Sequence, residues 1–534
     1  MMKKVIQNHL VYSINEEEKT AYVIDNDSAF GDIIIPQIIN YNSFEYVVTR
    51  ICENSFQKSE LINSIQFPID SKIKTIEQFA FYDSSIKSIS FPSSLTELND
   101  GWCAHTSELL KVSVDSNNER YLSYKNKIIV GKSSIENGNS YDVFIFCARN
   151  VKKIIIPNYI KIIGPYSFNY SKIRNIKFQE NSMLETIEIS SFAESSIEKI
   201  KFPPHLQKIS EDSFNGCSHL REIKFSKNIE IQIIDEFSFA STDISTFTIP
   251  SSLVKLNNGW CYGTKKLTKI VIEEGNQFFK SYDNQMIIGK TSSDEYDTLI
   301  FCNRNVNAVQ IPSFITIICD SAFCDCEMLR KIEIPKDSKL EIIMEEAFSG
   351  TSIESIYIPS QVKIISKYAF TDCFQLKKVH IPNDSKLEII MEEAFSCCLI
   401  ETINLPSSIK QIEKMAFNGC SNLRKIEIPM DCNLQMIDEN AFSETLIENI
   451  NIPSNLIELK EGWCKDIKAL NKINVSPNNV LFSSYNDQLL LKKSSIESEN
   501  FDILVFCVRN TETIIIPSFI KHIGPCAINE CHNI

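Results

Sequence analysis

The sequence predicts a mainly β repeat solenoid, with a parallel inner sheet, short turns on the outer side and three hairpin-like insertions. Two observations predict it. The run Asp337-Ser-Lys-Leu-Glu-Ile-Ile-Met-Glu-Glu-Ala-Phe348 returns unchanged at Asp384 to Phe395, a period of 47 residues, and periods of about 20 to 50 residues mark stacked repeats. Within it, an apolar-x-apolar triplet recurs 24 and then 23 residues apart, usually followed by Pro and about a dozen residues later by Phe. The alternation has a readable origin. From Ile334 to Phe348 is 14 residues and then 8 to Ile356, whereas from Ile358 to Phe370 is 12 and then 9 to Val379, so two kinds of corner alternate.

Residues 1–50 differ from the rest of the chain. Short strands over Leu10 to Ile14, Thr20 to Ile24, Asp32 to Ile35 and Phe44 to Val48, joined by polar turns, are expected to form an N-terminal β cap, because a first coil otherwise leaves its apolar face bare. Residues 51–534 then read as one solenoid. Its triplets open at Ile65, Ile89, Val112, Ile154, Ile176, Ile200, Ile223, Phe247, Ile270, Val309, Ile332, Ile356, Val379, Ile403, Ile426, Ile450, Ile473 and Ile514.

Three gaps are longer, and each follows a coil in which Gly-Trp-Cys replaces x-Ala-Phe: Gly101-Trp-Cys103, Gly259-Trp-Cys261 and Gly462-Trp-Cys464. A small-large pair becomes large-small at nearly constant volume, the exchange that cores tolerate best. The Gly is expected to clear space where the indole turns in. Insertions follow near 115–150, 273–305 and 476–510, read as short strands around a polar turn that project from one side of the stack. The chain stops within a coil at Cys526 to Ile534 without a cap, and that end is expected to fray.

A coil forms because Leu329-x-x-Ile332-x-Ile334-Pro335 alternates inward and outward, and Pro335, lacking an N–H, ends the strand. A second apolar element, Leu340 with Ile343, precedes a turn that drops Phe348 into the core. Most of the 18 cysteines occupy equivalent positions: after the Phe (Cys217, Cys326, Cys373, Cys398, Cys420), beside Trp, or before x-Arg-Asn (Cys147, Cys302, Cys507). Buried thiols filling a column are expected rather than disulfides.

At this point the residues match a known family. The coil seen in Leu329 to Pro335 and Val362 to Cys373 resembles the BspA-type (Treponema pallidum-type) leucine-rich repeat over roughly residues 50 to 534. Gly31 to Pro36 with Tyr46 to Phe56 is similar to that family's usual first unit, and Val114 to Asn118 with Tyr124 to Ile128 to its hairpin insertions. The resemblance implies a leucine-rich-repeat superhelix and a surface antigen or adhesin that binds host or matrix proteins at the cell surface.

The net charge of −14 argues against nucleic acid as a partner, and no apolar run is long enough for a membrane span. The N-terminus offers no export signal core, which favours the alternative, an intracellular scaffold for protein-protein interaction. Chemistry-bearing motifs fail. Gly131-Lys-Ser133 and Gly289-Lys-Thr291 lack the earlier Gly of a phosphate loop, Asn126 and Asn284 standing there, and read as polar turns. No His recurs between modules, and Glu345-Glu346 repeats at Glu392-Glu393 as a solvated face would. Neither an enzyme nor a cofactor or metal site is expected.

What remains is the outward column of the inner strands, a candidate protein-binding concave face: Lys177, Lys201 and Lys224 cluster, then come Glu333, Tyr357, His380, Asn404, Glu427 and Asn451. Repeat proteins commonly bind along such a surface.

Overall fold

The computed structural model describes residues 3–134, 140–290, 295–509, 513–529 and 531. They form strands and turns, with no helix among them. The chain divides into two compact units, 1–277 and 278–534, and each is a stack of β coils.

In the second unit the inner strands are three or four residues long, from Ala308–Gln310 and Lys331–Glu333 through Ser355–Tyr357, Lys378–His380, Thr402–Asn404 and Lys425–Glu427 to Asn449–Ile452 and Lys472–Val475. The middle apolar residue is buried and its neighbours face out, the period-2 pattern of a half-buried strand. Pairing depends on step length. Triplets 23 residues apart zip along their whole length, with Ile356 opposite Val379 and Ile403 opposite Ile426. Triplets 24 apart keep one pair, Lys378 with Thr402 or Lys425 with Asn449. The strands at Ile332 and Ile356 keep only the bond from Glu354 N–H to the Arg330 carbonyl at 3.3 Å. One extra residue between strands shifts their ends out of register, so the structural unit is the pair of coils.

Behind the inner strands a second ladder absorbs both step lengths. Two-residue strands Ile317–Ile318, Ile342–Ile343, Ile364–Ile365, Ile389–Ile390, Gln411–Ile412, Met436–Ile437 and Glu458–Leu459 pair in parallel without interruption. The corner adds a third set of bonds. Phe348 N–H donates to the Ala369 carbonyl and Phe370 N–H to that of Ala394, both at 2.8 Å. To make the corner, the residue two before each Phe takes a left-handed backbone, as at Glu346, Tyr368, Glu393 and Met415. The rings of Phe323, Phe348, Phe370, Phe395, Phe417 and Phe442 then stack almost parallel, with centroids 4.8 to 5.7 Å apart.

The first unit repeats this design. Inner strands Lys153–Ile156, Asn175–Phe178, Lys199–Phe202 and Glu222–Phe225 form one parallel sheet, and Phe144, Phe168, Phe192, Phe214 and Phe239 stack. Within the first fifty residues, Lys3–Gln7, Leu10–Asn15 and Thr20–Asn26 run antiparallel. Gly31–Ile34 already pairs in parallel with Ile62–Gln66, as part of the inner sheet.

Two expectations change. The triplet at Ile514 lies in no strand, although Ile503–Cys507 still pairs with His522–Ile523 one coil on. The insertions do not simply project. Tyr121–Tyr124 and Ile128–Gly131 form a hairpin, but Val143–Cys147 returns into the second ladder, parallel to Ile162–Ile163, and thereby closes a coil; Thr298–Cys302 and Ile503–Cys507 do the same. The Gly before Trp102 and the Gly before Trp260 also clear the preceding coil, since a Cβ at Gly101 would lie 2.7 Å from the Phe79 ring and one at Gly259 2.9 Å from that of Phe237. Residues 135–139 and 291–294, where the polar turns with Thr291 were expected, and residues 532–534 lie outside the described residues. Gly131 sits at a strand end rather than in a turn, with Ser133 bonded to Asp142.

Candidate functional site

Outward positions on parallel strands hold their side chains in rows because like residues face like residues across the ladder. In the first unit Lys201 lies opposite Lys224, and Asn175 opposite Lys199 puts Lys177 in the same row as Lys201. These side chains border an open groove of about 650 Å³ whose other walls include Phe178, Pro203, Pro204 and Glu222. Lys224 is ion-paired with Glu222 on its own strand. Lys177 and Lys201 are exposed and have no ion-pair partner among the described residues. The groove therefore presents positive charge over an apolar floor, in a chain whose net charge is negative.

The other six predicted residues lie in the second unit and form a different surface. Tyr357 lies opposite His380 and their rings stack at 5.3 Å. Asn404 lies opposite Glu427, which is ion-paired with Lys425, and Glu333 pairs with Lys331 at 2.5 Å. Asn451 donates to the Ile428 carbonyl at 3.0 Å and accepts from Asn474 at 3.0 Å, so it serves the sheet itself. Charges are compensated on the strands of Glu333 and Glu427, and the row is mixed rather than basic.

The sequence profile described as the BspA type leucine rich repeat region matches this chain in six copies, over residues 22–127, 140–268, 294–421, 341–471, 388–503 and 422–534. The chain belongs to the BspA-type leucine-rich repeat family. Solved structures similar to this BspA-type chain include a leucine rich cell surface protein of Faecalibacterium prausnitzii, 18% identical over 86% of this chain and 95% of that one, with a TM-score of 0.43. A leucine-rich repeat protein of Eubacterium ventriosum is 14% identical over 91% and 99%, with a TM-score of 0.46, and the pneumococcal vaccine antigen PcpA is 16% identical over 99% and 96%, with a TM-score of 0.38. A search of curated proteins finds no match.

Within these BspA-type coils all 18 cysteines are free thiols, 14 of them buried. Cys373, Cys398 and Cys420 each donate an S–H to the Phe carbonyl of the preceding coil, at 3.1 Å. Burial pushes the Cys217 thiol up to about 12, so that thiol is packing and not a nucleophile. Among the described residues no cluster of His, Cys, Asp or Glu could hold a metal ion.

Two features escaped the sequence reading. Pro203-Pro204 forms a groove wall, and its only signal was a doubled Pro where other coils have one. Asn118, Asn276 and Asn479 open the insertions and donate to the Pro and Leu carbonyls of the preceding coil, as Asn118 does to Pro92 at 3.0 Å and Leu95 at 2.9 Å. Their signal was recurrence at one place in all three modules.

Proposed function

We propose that the protein is a non-enzymatic protein-binding scaffold, an adhesin-like cell-surface antigen, that takes an acidic extended segment of a host or matrix protein along the Lys177, Lys201 and Lys224 groove. One observation carries this reading: a row of lysines on successive strands, two of them without ion-pair partners among the described residues, borders an apolar-floored groove in an otherwise acidic chain. Such a row attracts carboxylates spaced along an extended chain, and its charge steers encounter as well as holding the complex. The test is capture of purified matrix proteins by the immobilised full chain, beside the variant K177E/K201E/K224E. Salt-sensitive capture lost in the variant is expected, and unchanged capture removes the groove from the reading.

The second reading, an intracellular scaffold, is favoured by the 18 free thiols, since exported proteins more often carry disulfides. Surface biotinylation of intact cells separates the two. Labelling only after lysis would leave the scaffold standing and the adhesin not.

A further inference from the structure

The same hairpin is built into all three modules, and in the first it carries a charge that the others lack. Lys125 and Lys127 stand on the turn between strands Tyr121–Tyr124 and Ile128–Gly131, and Lys152 and Lys153 stand where the chain re-enters the inner sheet at Lys153–Ile156. The corresponding residues are Asp283, Gln285, Asn307 and Ala308 in the second module, and Asn486, Gln488, Glu512 and Thr513 in the third. The hairpin forms equally well without the lysines. Both central turn residues are left-handed in each case, Lys125 with Asn126, Asp283 with Asn284 and Asn486 with Asp487. The carbonyl of the next residue then accepts the same bond, Lys127 from Ala148 N–H at 2.7 Å, Gln285 from Asn303 at 2.8 Å and Gln488 from Val508 at 2.9 Å. Asn and Asp suit a left-handed backbone better than Lys does, so the turn gives no reason for Lys125.

The lysines come together in space. All four line one open furrow of about 610 Å³, together with half-buried Ile128, Val151 and Ile154 and exposed Tyr124 and Asn150. Each lysine is exposed, none has an ion-pair partner among the described residues, and no acid lines the furrow. The exposed rings of Tyr124 and Tyr159 meet at their hydroxyls, 3.4 Å apart. Like charges gathered without a counter-charge repel one another, and an anion laid among them relieves that repulsion.

We propose that this furrow binds a linear sulfated polysaccharide, with its sulfate groups on these lysines and a sugar ring against Tyr124. An ammonium is a point charge that meets a sulfate from any side, whereas the paired oxygens of a carboxylate are matched by the fork of an Arg, and no Arg lines the furrow. The Tyr124 ring offers an apolar face and a hydroxyl, the two kinds of surface that a sugar presents. Charge on a hairpin turn and on the start of a strand flanks a chain laid lengthwise better than it meets the plane of a bilayer. The net charge of −14 repels a long polyanion elsewhere on the protein, so the bound stretch is a few sugars. Lys153 lies opposite Asn175, which borders the Lys177 groove. The two basic surfaces adjoin, and each takes its own ligand.

Calorimetric titration of the full chain with a heparin-derived octasaccharide, and with the same oligosaccharide stripped of sulfate, tests this. Saturable binding of the sulfated form is expected, at least about tenfold tighter than that of the desulfated form. It should weaken at least about tenfold between about 50 and about 200 mM salt, because condensed counterions are released on binding. K125D/K127Q/K152N/K153A gives the first hairpin the residues of the second, a set that this fold already accommodates, and should weaken binding at least about tenfold. K177Q/K201Q/K224Q in the adjoining groove should cost less than about threefold. Should the quadruple variant not fold, K125D/K127Q, confined to the turn, decides. Absence of saturable binding, wild-type affinity in the folded hairpin variant, or loss in the groove variant alone overturns the proposal. So does binding of phosphatidylserine vesicles or of a polyglutamate peptide through these lysines at least as tightly as the octasaccharide.

Discussion

The Trp463 indole meets the Phe442 ring edge-on, with centroids 6.4 Å apart and planes at 87°. Phe442 is the last member of a face-to-face column, so the indole turns the stack through a right angle. The same relation holds for Trp102 with Phe81, at 88°, and for Trp260 with Phe239, at 84°. Since Trp replaces Ala, its backbone keeps the corner bond, with Phe442 N–H donating to the Trp463 carbonyl at 2.9 Å. The side chain meanwhile lies against the insertion, where Phe506 is 5.8 Å from Trp463 and Phe146 5.7 Å from Trp102. Trp102 and Trp463 thus each end one ring column and seat the insertion next in the chain.

Phe370 lies between Phe348 at 5.0 Å and Phe395 at 5.1 Å and has no exposure. Phe370→Ala should cost about 3 to 5 kcal/mol. Because coils touch only their neighbours, amide exchange should quicken in the flanking coils and not near Phe168. Uniform acceleration over the chain would contradict nearest-neighbour stacking.

Gly101 and Gly462 have the same left-handed backbone, at φ +65, but differ in room, a Cβ lying 2.7 Å from the Phe79 ring at the first and 3.3 Å from the Asn440 side chain at the second. Gly462→Ala should cost about 1 to 2 kcal/mol for backbone alone, and Gly101→Ala more. Urea midpoints of the two variants give the order, and equal losses would mean that the Phe79 ring moves aside freely.

Burial raises the thiols of Cys103 and Cys147 to about 11 and about 12. The thiolate is the reactive form, so at about pH 8 a thiol reagent should react quickly only where the sulfur is accessible. Those sites are Cys526, which is exposed, and the half-buried Cys397 and Cys531, whereas the half-buried Cys52 thiol is itself raised to about 11 by burial and reacts slowly; denatured protein yields all 18. Rapid native labelling of Cys373 or Cys420 would show that the column opens.

Burial, reinforced by neighbouring acids, raises the carboxyls of Glu346 and Glu393 above the ordinary value. A carboxyl raised in the folded state binds protons more readily folded than unfolded. The penalty for its charge is present at neutral pH and is relieved as pH falls through the raised value towards the unfolded one. Replacing both by Gln should raise the melting temperature near about pH 7 and leave it nearly unchanged near about pH 4. A gain of equal size at both would assign the effect to something other than ionisation.

The coil was legible because a repeated sequence states each position many times over. Ile332, Ile356 and Val379 read as inward residues, and Phe348 and Phe370 as a column, because in a stack the neighbour of a position is the same position one coil on. The alternation of 24 and 23 was equally legible as two corners. Its consequence, a complete ladder at Ile356 with Val379 and a broken one at Ile332 with Ile356, was not, because register depends on where the extra residue bulges. That Gly101 also clears the Phe79 ring was not legible for a related reason: Phe79 arrives from the coil before.

The row of Lys177, Lys201 and Lys224 could be picked out from spacing alone, but its groove depends on Pro203-Pro204 closing one side. The amino-acid order by itself determined the repeating coil, the identity of its columns and the places where Trp interrupts them, since each arises from period and local alternation. Only the tertiary structure decided that every guanidinium nitrogen of Arg149 finds an acceptor while Nε and Nη2 of Arg509 find none among the described residues, although both stand in a Phe-Cys-x-Arg motif. Their acceptors are carbonyls and sulfurs from other coils, and the direction in which a carbonyl points is a property of the packed backbone that no residue name carries.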